Sequence, residues 1–210
     1  MRKVILLILF FLASAVFSLQ AEEYDFRETR WGMSVKEVRA SEGSRLLIKE
    51  GGKKEYRLVY STSIADLEGS IVYLFSEYKL RKAAYRFSID ESGEALQKFW
   101  YLKDILSEKY GQPQRTKRTY GEEKKKKLGP ASFLLLLPLN FRLSGSLEKG
   151  QLVMETKWTT DYSYITLAIA KEGEKYAVSV EYEHKRWADD HKHDEEEKEA
   201  LKKKELMEAL

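Results

Sequence analysis

An α+β fold, in which an antiparallel β-sheet is packed by helices in a two-layer arrangement, is predicted by three features of the sequence. Segments whose apolar residues recur at every second position follow one another along the chain, and the gaps between several of them are short enough for hairpins. One long segment with apolar residues at helical spacing separates an earlier group of strands from a later one. Helix followed by strands occurs twice, from Ser34 and from Ser92. The expected organisation is a signal peptide over 1–21, an α+β domain over 22–185 and a charged helical or flexible tail over 186–210. Sub-units 22–90 and 91–185 would be the halves of a diverged tandem repeat.

Arg2 and Lys3 precede the apolar run Val4 to Leu12, the small-residue region "ASAVFSLQA" follows, and Glu22 and Glu23 come next. This is the order of a secretory signal peptide. Cleavage is expected after Ala21, with cleavage after Ser18 or a retained N-terminal anchor as alternatives. The apolar core is shorter than the roughly 20 residues that a membrane span requires. A soluble periplasmic or secreted protein is therefore expected, with no stable membrane span after signal removal. The chain contains no cysteine, which excludes a disulfide framework, a thiol nucleophile and a lipid-bearing cysteine. The roughly 190 residues left after cleavage suffice for one sizeable domain or two small ones of the common size, so stability must come from the core. With 37 Lys and Arg against 34 Asp and Glu, net +3, charge gives no argument for nucleic acid as a partner.

The first folded element is legible in "WGMSVKEV". Ser34 is a good N-cap, and Glu37, three residues on, can reach back to its amide, which makes a capping box. Met33 and Val38 then stand where a hydrophobic staple forms, and Gly32 allows the sharp turn after Trp31. A short helix over Val35 to Ser41 follows, with Gly43 as its expected terminator and Trp31 closing one end of the core. In "KKEYRLVYSTS", Tyr56, Leu58 and Tyr60 alternate with Arg57, Val59 and Ser61, the pattern of a half-buried strand. "SIVYLFSEYKLRKAAYRFSID" reads as a hairpin turning at "SEYK". Ile71, Tyr73 and Phe75 share one face, and Ala83, Tyr85, Phe87 and Ile89 share a face on the return. Val72 and Leu74 on the second face of the outgoing strand place it centrally or under cover on both sides.

From Ser92 to Tyr110 the period becomes helical. Ala95, Phe99, Leu102, Leu106 and Tyr110 form one stripe with Leu96 and Ile105 at its margins, and burying the five contributes on the order of 10 kcal/mol before entropy. Ser92 is the expected N-cap; Gly111 and Pro113 end the helix. "TKRTYGEEKKKKLGP" reads as a solvated loop, since the lysine run lacks interleaved aromatics or a reading helix. "ASFLLLLPLNFRL" is an apolar run that Pro138 breaks, the pattern of an edge strand, a bulge or two short pieces. "QLVMETKW", "YSYITLAIAKE" and "KYAVSVEYEH" are three further strands, the last two joined by the turn "KEGEK". After them Asp194 to Lys198 and Glu199 to Lys203 are spaced as helical ion pairs.

Chemistry is sparse. No nucleophile elbow, phosphate loop or zinc-protease helix occurs, so no catalytic, cofactor-binding or metal-ligating residue is assigned and no enzyme or cofactor is expected. His184, His191 and His193 are the only histidines. With Asp189, Asp190 and Asp194 they make metal binding by the C-terminal segment one alternative, although residues 191 and 193 point to different sides of a helix. A Ser-His-Asp triad would have to recruit His184. Small-ligand carriage is a further alternative.

"GMSVKEV", with Gly32, Met33, Ser34 and Val38, resembles the opening of the small envelope proteins of the BamE/SmpA kind, which share a helix-and-antiparallel-sheet fold with the beta-lactamase inhibitor protein family. "YGQP", Tyr110 to Pro113, is similar to the helix-ending glycine and proline of such domains. The resemblance implies an exported, non-enzymatic module that binds another envelope or extracellular protein. The missing lipid-bearing cysteine departs from the BamE pattern, so outer-membrane anchoring is not implied.

Overall fold

The computed structural model describes residues 24–64, 67–120 and 139–209; the signal segment, the lysine run and the apolar run up to and including Pro138 lie outside them. Eight strands form one antiparallel sheet: β1 Leu46–Gly51, β2 Tyr56–Ile64, β3 Leu67–Ser76, β4 Lys79–Ile89, β5 Arg115–Tyr120, β6 Leu152–Thr159, β7 Ser163–Glu172 and β8 Lys175–His184. Their order across the sheet is β1-β2-β3-β4-β8-β7-β6-β5. Each half of the chain thus contributes four strands, and the halves join through their last strands, with Tyr85 opposite Val180 and Phe87 opposite Val178. The helices among the described residues are α1 Val35–Ser41, α2 Ser92–Tyr110, α3 Leu139–Glu148 and α4 Lys185–Ala209. α1 precedes the first four strands and α2 the second four, with α3 inserted between β5 and β6. The α+β class read from the sequence is the one observed.

One face of the sheet is the core. Leu58 and Tyr60, Ile71 and Tyr73, Ala83 and Phe87, Val178 and Val180, Ile165 and Leu167, and Met154 and Trp158 are all buried and alternate with residues of the other face. α2 lies against β4, β6, β7 and β8, and α3 packs on α2 and β6. Over the first half the cover is α1, whose Val38 is fully buried, and the turn before it. Phe26 in that turn meets the rings of Tyr73, Tyr85 and Tyr182 at 5.6, 4.8 and 5.1 Å between centroids. Aromatic pairs at such spacings add to area burial, so this end of the core is held by ring contacts as well as by apolar packing.

The capping box is present: the Ser34 amide donates to Glu37 Oε2 at 2.7 Å and the Glu37 amide to Ser34 Oγ at 3.3 Å. α1 ends at Glu42 in extended conformation rather than through Gly43, whereas Gly32 (φ +85°) and Gly111 (φ +81°) do take the positive values expected of them. The "SEYK" turn places Glu77 and Tyr78 at φ +53° and +59°, the two left-handed residues of a hairpin turn that matches strand twist.

Three further expectations are corrected. Ser92 is the first residue of α2, not its cap, and its buried hydroxyl instead donates to Glu148 Oε1 of α3 at 2.7 Å. The expected stripe is present, with Ala95, Phe99 and Leu106 buried and Leu102 and Tyr110 packed against the core, and of its two margins Leu96 is buried while Ile105 is exposed. Arg115 to Tyr120 is a strand, not a loop; as the sheet's edge it carries charge outward and pairs only with β6, for instance Thr116 opposite Thr156. Residues 139–148 are helical, with Leu143 and Leu147 one turn apart and buried.

Candidate interaction surface

The second face of the sheet carries no helix among the described residues except where α4 begins beside β7 and β8. Its centre is made of short side chains: Ser70 and Val72 on β3, Ala84 on β4, Ser179 on β8, and Thr166 and Ala168 on β7, all half-buried. Val72 and Leu74 are half-buried too, on a strand that lies inside the sheet between β2 and β4, the central placement that was one of the two expected for it. Charged side chains stand within this surface as well: Arg86 lies opposite Ser70 and Ser179, and Glu181 opposite Ala84 and Thr166. Arg86 donates to Glu172 at 2.6 Å, Lys82 lies 2.8 Å from Glu183 and 3.5 Å from Glu181, and Arg57 meets Glu50. Exposed pairs of this kind contribute little to stability. They set the charge that a partner meets, interleaved with the small residues of the face.

At the end of the sheet where β7 starts and β8 stops, the structure brings together residues that a hydrolytic reading would need. Ser163 and His184 are register partners. The Trp31 indole stacks on the His184 ring at 6.0 Å and donates Nε1–H to Ser163 Oγ at 2.9 Å, while its amide donates to Asp25 Oδ2 at 2.8 Å. Ser163 is buried, no hydrogen bond joins it to His184, and His184 Nδ1 has no partner. The nucleophile-to-base bond that activates a serine is missing from this geometry. Burial, with the charge of Arg81 nearby, lowers the His184 pKa and favours the neutral ring. Trp31 therefore ties the N-terminal turn to the far half of the chain, the end-closing role read from the sequence.

A cavity of about 360 Å³ is lined by Arg27, Glu28, Thr29, Ser41, Glu42, Gly43 and Tyr73. Its centre is a saturated ion pair. Arg27 Nε lies 3.1 Å from Glu42 Oε2, the Tyr73 hydroxyl donates to the same oxygen at 2.7 Å, and the Ser44 amide donates to Oε1 at 2.9 Å. Burial alone would raise the Glu42 pKa, but these hydrogen bonds and the Arg27 charge hold it below the ordinary carboxylate value. A carboxylate so occupied is neither a free base nor a ligand for a carried molecule. Burial and the Glu42 bond push the Tyr73 hydroxyl far up, so it stays a donor.

The histidines do not converge. His184 ends β8, whereas His191 and His193 lie on α4, where the His191 ring lies tilted against Trp187 at 4.3 Å between centroids. His193, Asp194 and Glu197 bring one ligand atom each within 4.8 Å of one another, all exposed. Across this turn His193 Nδ1 is 3.6 Å from Glu197 and Lys192 Nζ is 3.8 Å from Glu196; the pairs expected from Asp194 and Glu199 involve lysine side chains outside those described. No helix among the described residues is long and apolar enough to cross a membrane. Comparison with protein-family models, curated proteins and solved structures gives no significant match for this chain.

Proposed function

We propose that this chain is an exported, non-enzymatic protein-binding module that presents the open face of its sheet to another protein of the cell envelope or extracellular space. The observation that carries the reading is the asymmetry of the sheet: among the described residues helices cover one face, while the other presents small side chains interleaved with charged ones such as Arg86 and Glu181. Such a surface offers a partner a flat approach, with charges that can pair with complementary charges on the partner. The signal-like N-terminus and the likeness of "GMSVKEV" to small envelope domains support the same assignment. The test addresses the surface itself. Ala168, half-buried at the centre of the open face, is replaced by Arg, and immobilised wild-type and Ala168→Arg proteins are exposed to envelope extract. The expected result is a partner enriched by the wild type and lost with the variant at unchanged thermal unfolding. Recovery of background proteins only, or equal capture by both, would sink the proposal.

A further inference from the structure

The two edges of the sheet are built differently. β5 carries Arg115, Lys117 and Arg118, all exposed, and cationic side chains on an edge discourage further strand pairing. β1 is exposed at all six positions yet opens with three apolar residues: Leu46, Leu47 and Ile48 are 36%, 51% and 41% exposed. An apolar edge strand with open backbone groups is a template for another strand.

The register of β1 says which strand. Ile48 and Glu50 stand opposite Val59 and Arg57, while Leu46 stands opposite Tyr60, with the register shift between Leu46 and Ile48. The Arg45 carbonyl accepts from the Ser61 amide at 2.9 Å, which puts Arg45 beside Ser61. Arg57, Val59 and Ser61 belong to the open face, so Arg45 and Glu50 share that face. In a regular strand, residues five apart point to opposite faces; the irregularity at Leu47 brings these two to one side. Two copies of β1 paired antiparallel about a two-fold axis normal to the sheet require facing residues to lie on the same side. Arg45 then faces Glu50 of the second copy, Leu46 faces Lys49, and Leu47 and Ile48 surround the axis. Glu50, which already meets Arg57 within its own chain, would lie between two arginines in each copy.

We infer that β1 is a homodimer edge: two copies of the chain pair β1 to β1, joining their eight-stranded sheets into one. The contact is one short strand with three apolar side chains, at the small end of specific interfaces, so association in roughly the micromolar range is expected. This inference does not rest on the proposed function, which concerns the open face. The test is sedimentation equilibrium of the purified chain across the micromolar range. The wild type should show a reversible monomer–dimer equilibrium, and Leu47→Lys with Ile48→Lys should be monomeric throughout with unchanged circular dichroism and unfolding. Arg45→Glu and Glu50→Arg should each weaken self-association about tenfold or more, and an equimolar mixture of the two should restore it, because opposite charges then face each other at both ends. A wild type that stays monomeric overturns the inference. So does a dimer that survives the lysine substitutions, or one that the charge reversals leave unchanged.

Discussion

Replacing Glu42 with Gln tests whether the ion pair beneath α1 holds the N-terminal turn to the sheet. The Glu42 side chain is only 1% exposed and receives Arg27, the Tyr73 hydroxyl and the Ser44 amide. Glutamine keeps the shape and one acceptor oxygen, so Tyr73 or Ser44 can still donate, but the charge facing Arg27 is lost. Removing one partner of a fully buried pair costs about 3–5 kcal/mol. The Arg27 side chain is 32% exposed and regains part of its hydration, which reduces the expected cost of Glu42→Gln to about 2 kcal/mol. In chemical denaturation at neutral pH this appears as a lower midpoint with an unchanged slope. The sign with pH follows from the lowered pKa: Glu42 stabilises the fold above its unfolded value near 4.5, and that contribution disappears as pH falls through the folded value. The difference between wild type and Glu42→Gln should therefore shrink on acidification. A neutral-pH difference under about 0.5 kcal/mol, or one that persists undiminished near pH 2, would refute the account of a stabilising clasp.

Two further substitutions probe other joints of the fold. Ser34→Ala removes the cap acceptor for the Glu37 amide and should cost ~0.5–2 kcal/mol in urea denaturation, with capture of any partner on the open face unchanged below the melting temperature. Gly69→Ala should be more severe, about 2–4 kcal/mol. A Cβ at Gly69 would sit 2.5 Å from the Arg86 carbonyl and 2.7 Å from the Phe87 ring; thermal melts that move by less than a degree or two would show that β3 and β4 have room to separate.

Local chemistry was legible in the sequence and long-range pairing was not. Ser34 and Glu37 lie three residues apart, and the alternation in β6, β7 and β8 has one buried face, so each could be read without knowing its neighbours. β1 escaped detection because its apolar residues are consecutive and exposed, giving no period. β5 was hidden because an edge strand with cationic residues resembles a solvated loop. α3 was misread because "LLLLPLNF" has apolar residues at every spacing, and only burial of Leu143 and Leu147 against α2 selects the helix. At the clasp, Glu42 meets Arg27 fifteen residues before it and Tyr73 thirty-one after it, separations at which no local pattern pairs a carboxylate with its partners. The open face could be anticipated as the polar alternation of each strand, but its extent depends on β4 and β8 meeting.

That meeting governs when the protein becomes a single body. Every other ladder in the sheet joins strands that are consecutive in the chain, whereas β4 must wait for β8, the last strand of all. Until residue 184 has arrived, the first meander ends in a strand open along one edge, whose Tyr85, Phe87 and Ile89 lack the neighbours that Val180, Val178 and Tyr176 later supply. Non-local pairing of this sort slows folding and leaves the waiting strand open to wrong partners. A chain handed across a membrane unfolded and entire would meet this hazard briefly; one that folds while it is still being made would hold that strand bare for as long as the second half takes to appear.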